Sequence, residues 1–206
     1  MPRKRTTANA SRIPSAMTRL HIPAASSAWS LILQAGVFVA CTVGTPLSTL
    51  LRKGLGLDEA QLRPIDALIL DGMPVDDPEN AVAPDGARLA LAAGLPGIAG
   101  LAMKSGSAVR ALRAGITHTH GLEANPRPGA ILLSLYSLAI PILAGHFLQR
   151  GIMAKAAQVL RYARFAPGDH CLFGNAPLTV RDLPQVLSQM PGNGLLFLSV
   201  GKLCQK

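Results

Sequence analysis

The sequence predicts an α+β fold in which two tandem units each pack one helix against a mixed β-sheet. Three observations support this expectation. Apolar, strand-like runs are separated by Asp-Gly and Asn-Gly pairs, which are typical of tight hairpin turns because they tolerate positive φ. Two nearly uncharged runs, over residues 28–51 and 129–148, each combine a strand-like segment with the start of a helix. A strand-and-turn pattern that begins near Ile65 also recurs towards the C-terminus.

The length and the composition of the chain indicate where the units lie. A chain of 206 residues is long enough for two small domains. Residues 1–27 are basic, rich in Ser, Thr and Ala, and free of acidic residues, so they cannot bury enough apolar surface to fold alone. The same composition also suits a targeting segment. We expect a disordered basic arm over 1–35, a first unit over 36–115, a linker over 116–128 and a second unit over 129–206.

The first unit is organised around Asp71-Gly72, the strongest hairpin signal in its sequence. Pro74 lies in the return strand and has no N–H, so that strand is expected to be short or to lie at an edge. Pro46 and Gly54 suit the first position and the C-cap of a helix. We expect a strand over 36–43, a helix over 46–54, a helical turn over 58–63, and strands over 65–70 and 88–92.

The second unit is expected to repeat this order of elements. Pro141 suits the start of a helix, and Gly151 is a point at which that helix could break. We expect a strand over 131–140, a helix from Pro141 to about Arg164, and strands over 171–173, 176–179 and 195–200.

An ungapped comparison of the two units supports a duplication. A shift from Leu68 to Cys171 places Leu68–Leu70 over Cys171–Phe173 and the Asp71-Gly72 turn over Gly174-Asn175. The same shift places Pro74 over Pro177. Self-similarity of this kind is the sequence signature of a repeated supersecondary unit.

The first copy resembles the sulfur carriers of the β-grasp, or ubiquitin-like, fold, such as the small subunit of molybdopterin synthase and the thiamine-pathway carrier. The resembling residues are Ala67–Gly72, then Pro74-Val75, and then Asp85–Leu91. The resemblance implies two β-grasp-like units and a protein-binding function. The carriers act through a free C-terminal Gly-Gly, which this chain lacks at its Lys202–Lys206 end. Carrier chemistry would therefore require processing after Gly100.

The charge distribution bears on the partner. The net charge is +9, yet eight of the eleven acidic residues lie within residues 58–85. A basic balance favours an anionic partner. The sequence contains no dense Lys/Arg run with interleaved aromatic residues, which argues against nucleic acid. We expect another protein as the partner, and the sequence does not indicate an oligomeric state.

The high hydrophobic content, 49%, keeps a membrane alternative open. In that alternative the protein is integral to a membrane, with spans near 28–51 and 129–148. Gln34, Pro46 and Pro141 interrupt these runs and favour strands followed by helices. The three cysteines are far apart and form no paired motif, which is typical of a reducing compartment. We therefore expect a bacterial cytoplasmic protein.

Candidate sites are few. Lys104, Arg110 and Arg113 flank a predicted short helix and form a candidate anion site. His118 and His120 supply at most half of a metal site, because zinc sites need three or four ligands.

The remaining candidates surround the two hairpins. Asp76, Asp77 and Glu79 crowd one loop and are candidates for binding a basic partner or the basic arm. Cys171 follows Asp169-His170, but adjacent residues of a strand point to opposite faces, so a buried thiol is expected.

No arrangement of residues supports catalysis, and none calls for a cofactor. We expect a non-catalytic protein-binding or adaptor module. The alternatives are the membrane protein and a sulfur-carrier-like protein processed after Gly100.

Overall fold

The computed structural model describes residues 17–23, 27–95, 97, 124–166, 168–190 and 194–201. Its centre is one mixed sheet of ten strands in the order β4-β3-β5-β6-β2-β7-β10-β1-β8-β9. The strands are β1 (Arg19–Ile22), β2 (Val37–Val43), β3 (Ala67–Leu70), β4 (Met73–Pro74), β5 (Arg88–Ala93), β6 (Arg127–Ser137), β7 (Ile152–Lys155), β8 (His170–Phe173), β9 (Ala176–Thr179) and β10 (Leu195–Val200). The predicted α+β class is confirmed, but all described strands belong to a single sheet.

The sheet consists of two halves that meet where β2 pairs with β7, antiparallel, at Phe38 and Met153. We call β4, β3, β5, β6 and β2 the first half-sheet, and β7, β10, β1, β8 and β9 the second half-sheet. Outward from β2, the pairings are antiparallel, parallel, antiparallel and antiparallel. The succession outward from β7 is the same. Each half-sheet therefore ends in a hairpin at an outer edge.

The helices named from the described residues pack on one face of the sheet. They are α1 (Leu47–Thr49), which continues as a π-helical turn over Leu50–Gly54, α2 (Glu59–Leu62), α3 (Ala139–Arg150), α4 (Ala156–Ala163) and α5 (Leu183–Leu187), with 3-10 helices over Ser27–Ala35 and Val180–Asp182. Their buried side chains form one cluster with strand residues of a single face, such as Val39, Leu133 and Leu198. We call this the first face. Residues of the second face, such as Ala130 and Met153, are buried but lie outside this cluster.

The expectation of a disordered arm over 1–35 is wrong for two segments. Residues 19–22 form β1 between β10 and β8. Leu20 and Ile22 are fully buried in the core. His21 points to the opposite face but is also buried, at 8% exposure, with its Nδ1 2.9 Å from Ser199 Oγ. The 3-10 helix over Ser27–Ala35 buries Trp29, Ile32 and Leu33. The spacing of these three apolar residues places them on one side of the helix, against the core.

The boundary between the two predicted units also differs from expectation. β6 was assigned to the second unit, yet it pairs with β2 along seven positions and with β5 along six. β7 lies within the segment expected to continue a helix from Pro141 to Arg164. Gly151 ends α3 with φ +93, a conformation that favours glycine, and the chain then enters β7.

The two uncharged runs are divided between elements of different types. Residues 28–51 contribute to a 3-10 helix, β2 and α1, and residues 129–148 contribute to β6 and α3. None of the helices in the described ranges combines the length and the apolar character needed to cross a membrane.

Candidate functional site

A groove of about 390 Å³ lies beside the hairpin of the first half-sheet, on the first face. Three segments form its walls: the helical segment after β2, α2, and the loop that follows β4. Its floor is apolar and its rim is charged. The lining residues are Ser48, Leu51, Arg52, Glu59, Leu62, Arg63, Ile65, Leu68, Asp76, Pro78 and Glu79.

The acidic loop is held in place by the first turn of α1. The backbone N–H groups of Leu47 and Ser48 donate to the carbonyls of Ala81 and Pro78, at 2.7 and 3.0 Å. These N–H groups have no partner within the helix, so the loop satisfies them. The Ser48 hydroxyl also donates to Glu79 Oε2 at 2.7 Å. Glu79 is therefore positioned on the rim by the helix itself.

Asp77 faces its own loop. Its Oδ1 accepts from the backbone N–H groups of Glu79 and Asn80, and its Oδ2 accepts from Asn80 Nδ2 at 2.7 Å. The hydrogen bond from the Asn80 side chain is the main reason that the pKa of the Asp77 carboxyl lies below its ordinary 3.8. Of the three predicted partner-binding acids, Asp76 and Glu79 line the groove, and Asp77 shapes the loop.

The opposite wall is α2, which begins with a capping box. The Asp58 side chain accepts from the Gln61 N–H, and the Gln61 side chain accepts from the Asp58 N–H. This cap fixes the position of Glu59, which pairs with Arg52 at 2.8 Å. Both side chains are largely exposed, so the ion pair contributes little to stability. Within the described ranges, Arg63 has no carboxylate within 4.0 Å.

The groove suits binding better than catalysis. Leu51, Leu62 and Leu68 supply apolar contact area at its floor. Among the described residues that line it there is no His, Cys or Lys, and their one hydroxyl, that of Ser48, already donates to Glu79. A nucleophile needs an adjacent base to become active, and this arrangement supplies none for Ser48. The rim instead presents the Glu79 carboxylate and the Arg63 guanidinium, which has no carboxylate partner among the described residues.

Sequence reasoning missed the contribution of Arg52, Glu59 and Arg63. The capping box at Asp58 and Gln61 is a sequence signal for the start of α2 and could have located this wall. The placement of that wall opposite the acidic loop follows only from the tertiary structure.

The other candidates divide into those outside and those inside the described residues. The anion-site candidates Lys104, Arg110 and Arg113 and the metal candidates His118 and His120 lie outside the described residues, as does Gly100. Within the described residues, no group of three or more His, Cys, Asp and Glu side chains is arranged to hold a metal ion.

Cys171 behaves as the expected buried thiol. It is 2% exposed, and burial, followed by the carboxylates of Asp182 and Asp169, raises its pKa to about 11. Burial also raises the pKa of the Cys41 thiol to about 11. The Asp169 carboxylate accepts a hydrogen bond from Trp29 Nε1 at 2.9 Å. His170 precedes Cys171 on β8 and belongs to the opposite face. His170 and Cys171 therefore do not form a catalytic pair.

Comparison of the chain with protein-family models, with curated proteins and with solved structures finds no match.

Proposed function

We propose that this protein is a non-catalytic protein-binding module whose groove takes a segment of another protein. The observation that supports this proposal is the apolar floor beneath a rim of both charge signs. An interface of this kind combines a desolvated apolar centre with a polar rim. The segment that fits carries apolar side chains for the floor, a basic side chain that faces Asp76 and Glu79, and an acidic side chain that faces Arg63.

The edges of the sheet are poorly suited to adding a partner strand, which favours the groove. Val75 donates its N–H to Leu68 across the first hairpin, at 2.8 Å. Since pairing groups alternate along an antiparallel strand, Pro74 faces outward. Pro177 occupies the matching position in β9, opposite Leu172. Proline in an outward-facing edge position removes the N–H that strand addition needs.

We also propose that each half-sheet is a β-grasp-like unit, as the resemblance implied. The support is the identical succession of strand pairings in the two half-sheets, with a hairpin at each outer edge. The sulfur-carrier alternative fits this arrangement less well. Processing after Gly100 would remove β6, which lies between β5 and β2 and pairs with both. Thirteen paired positions, seven and six, would be lost from the first half-sheet.

A peptide-display experiment tests the binding proposal. Random dodecapeptides on phage are selected against the full chain, and the enriched peptides are titrated against variants by fluorescence anisotropy. We expect peptides with apolar, basic and acidic residues in one short segment. Arg63→Glu and Glu79→Lys should each weaken their binding by about tenfold, because each brings like charges together at the rim of the groove.

Arg164→Glu is the matched control, since Arg164 is also an exposed arginine but does not line the groove. Binding that is equal for the wild type and all three variants would overturn the groove as the site. A selection that enriches no groove-dependent peptide would overturn the protein-binding proposal.

A further inference from the structure

One row of side chains crosses the second face through six neighbouring strands. Strand register places these residues directly beside one another, in the order Arg88, Leu132, Phe38, Met153, Phe197 and Arg19. We call them the cross-strand row. Adjacent strands are about 4.8 Å apart, so the row measures about 24 Å from one arginine to the other. Two aromatic rings and two guanidinium groups, remote in sequence, are thus aligned.

The row is basic at both ends. Arg19 and Arg88 are exposed, and neither guanidinium has a carboxylate of the described residues within 4.0 Å. The backbone N–H of Arg88 donates to Asp71 Oδ1 at 3.0 Å. Lys155 is exposed and shares this face by its register with Leu195. Among the described strand residues that register assigns to the second face, none is Asp or Glu. The electrostatic potential of this face therefore favours an anion.

The aromatic rings of the row are half-buried and well supported. A Cβ atom on Gly151 would lie 2.1 Å from Cζ of Phe197, so the ring lies directly over this glycine. The Arg19 guanidinium lies 5.9 Å from the centre of the same ring. Phe38 pairs with Leu132 on one side and Met153 on the other. Rings held in this way lose little conformational freedom when a planar group stacks on them.

We propose that the second face binds single-stranded nucleic acid, whose bases stack on Phe38 and Phe197 and whose phosphates pair with Arg19 and Arg88. Proteins that bind single strands combine aromatic stacking platforms with a basic track for the backbone. A sheet face that carries aromatic residues is one established form of such a platform. The sequence argued against nucleic acid because no basic run contains aromatic residues, but strand register assembles the same combination from distant segments.

Other occupants fit this face less well. Two copies packed face to face would bring the arginine ends of one row against those of the other, which like charges disfavour. An acidic helix would satisfy the arginines but would not use the aromatic rings in particular. The groove of the proposed function lies on the first face, so the two proposals stand or fall separately.

Fluorescence anisotropy with labelled oligo(dT) and oligo(U) of about 12 nucleotides tests the proposal on the full chain. We expect binding to both probes and weaker binding to a duplex of the same length, because paired bases cannot stack on the face. Arg19→Ala and Arg88→Ala should each reduce the slope of log affinity against log salt by about 0.7. Arg164→Ala, outside this face, should leave that slope within about 0.2 of the wild type.

The aromatic part of the proposal requires variants that preserve the fold. Phe38→Leu and Phe197→Leu keep an apolar side chain and should each weaken binding by about tenfold. Leu132→Phe adds a third ring to the row and should strengthen binding. The salt slope should not change in these three variants, and circular dichroism checks that each is folded.

Several results would overturn the proposal. The first is the absence of binding to either oligonucleotide at low salt. Another is binding that depends on salt but is unchanged by the Phe and Leu substitutions, since that is only the attraction of a chain with net charge +9 for a polyanion. Equal displacement of the probe by poly-glutamate of matched charge would identify an acidic protein as the partner instead. Vesicles of anionic lipid that compete equally would identify a membrane surface.

Discussion

The two half-sheets share one succession of strand pairings but differ beyond their outer hairpins. In the first half-sheet the chain leaves β4 through the acidic loop and forms one wall of the groove. In the second half-sheet the chain leaves β9 directly into a 3-10 turn and α5, and Leu183 and Leu187 are buried there. The same succession of strands thus carries a groove at one edge and added core at the other. The difference lies in the connections, and the strands are alike.

The half-sheets also differ in how the chain supplies their strands. All strands of the first half-sheet come from residues 37–137. The second half-sheet consists of strands from residues 152–200 together with β1, which comes from the N-terminal region. The second half-sheet consequently depends on contacts between segments that are far apart in sequence. Three sets of substitutions test the differences between the half-sheets, and they are given in order of decreasing expected effect.

Gly151→Ala should have the largest effect, because Gly151 leads into the strand at which the half-sheets meet. Its φ of +93 disfavours a Cβ, and that Cβ would lie 2.1 Å from the Phe197 ring. Backbone strain and overpacking together should lower the free energy of unfolding by about 3 kcal/mol. Urea denaturation followed by circular dichroism measures this change.

Gly145→Ala is the matched control. Gly145 lies in α3, is exposed, and has no atom within 4 Å of a built Cβ. Alanine there should raise the free energy of unfolding by about 0.5–1 kcal/mol, because it favours the helix. Equal effects of the two substitutions would show that the junction between the half-sheets tolerates a side chain.

Trp29→Phe tests how much the packing of the N-terminal segment against the second half-sheet contributes to the free energy of unfolding. Trp29 is fully buried, and its Nε1 donates to Asp169 at 2.9 Å. Phenylalanine removes that donor and leaves a small void, so the free energy of unfolding should fall by about 2 kcal/mol. Leu31→Ala in the same 3-10 helix changes a side chain that is 39% exposed and should cost about 0.5 kcal/mol or less. A loss at Trp29 no larger than that at Leu31 would contradict the assignment of residues 27–35 to the core.

The smallest effect is expected at two acidic residues, Asp77 in the connection after β4 and Asp182 in the connection after β9. Hydrogen bonds from Thr179 lower the pKa of the Asp182 carboxyl below 3.8, as the Asn80 side chain does for Asp77. A carboxyl with a lowered pKa in the folded state stabilises that state above its ordinary pKa, and this contribution is lost as the pH falls through the lowered value. Asp77→Asn and Asp182→Asn should therefore each slightly lower the melting temperature at pH 7.

At a pH well below 3.8 the difference from the wild type should shrink for both substitutions. Thermal unfolding over a pH series provides the measurement. A difference that stays constant with pH at either position would show that the carboxylate charge is not what stabilises that connection.

Local signals in the sequence were sufficient for the hairpins. Asp71 and Gly72 adopt positive φ, and Pro74 lies in an edge strand, as their residue types indicate. Of the candidate site, the acidic loop was located, and Glu79 indeed lines the groove. The sequence did not indicate that Arg63 forms the opposite wall, because the distance between α2 and the acidic loop is set by the packing of both on the sheet.

Short strands were the main failure. β1 and β7 have four residues each, and unlike β3, β8 and β9 they adjoin no hairpin turn that marks them in the sequence. Four residues alone are too few for a periodicity that distinguishes a strand from a loop or a helix. β1 becomes a strand because β10 and β8 supply its hydrogen bonds. β7 becomes one because β2 and β10 do the same.

The α+β class and the hairpin turns at Asp71-Gly72 and Gly174-Asn175 follow from the sequence alone. These properties depend on neighbours within a few positions along the chain. The folded chain alone shows that the described strands form one sheet, that α2 faces the acidic loop, and that Phe38 and Phe197 align between two arginines. Register between strands that are distant in sequence depends on pairing and packing energies summed over the whole molecule, which no local pattern records.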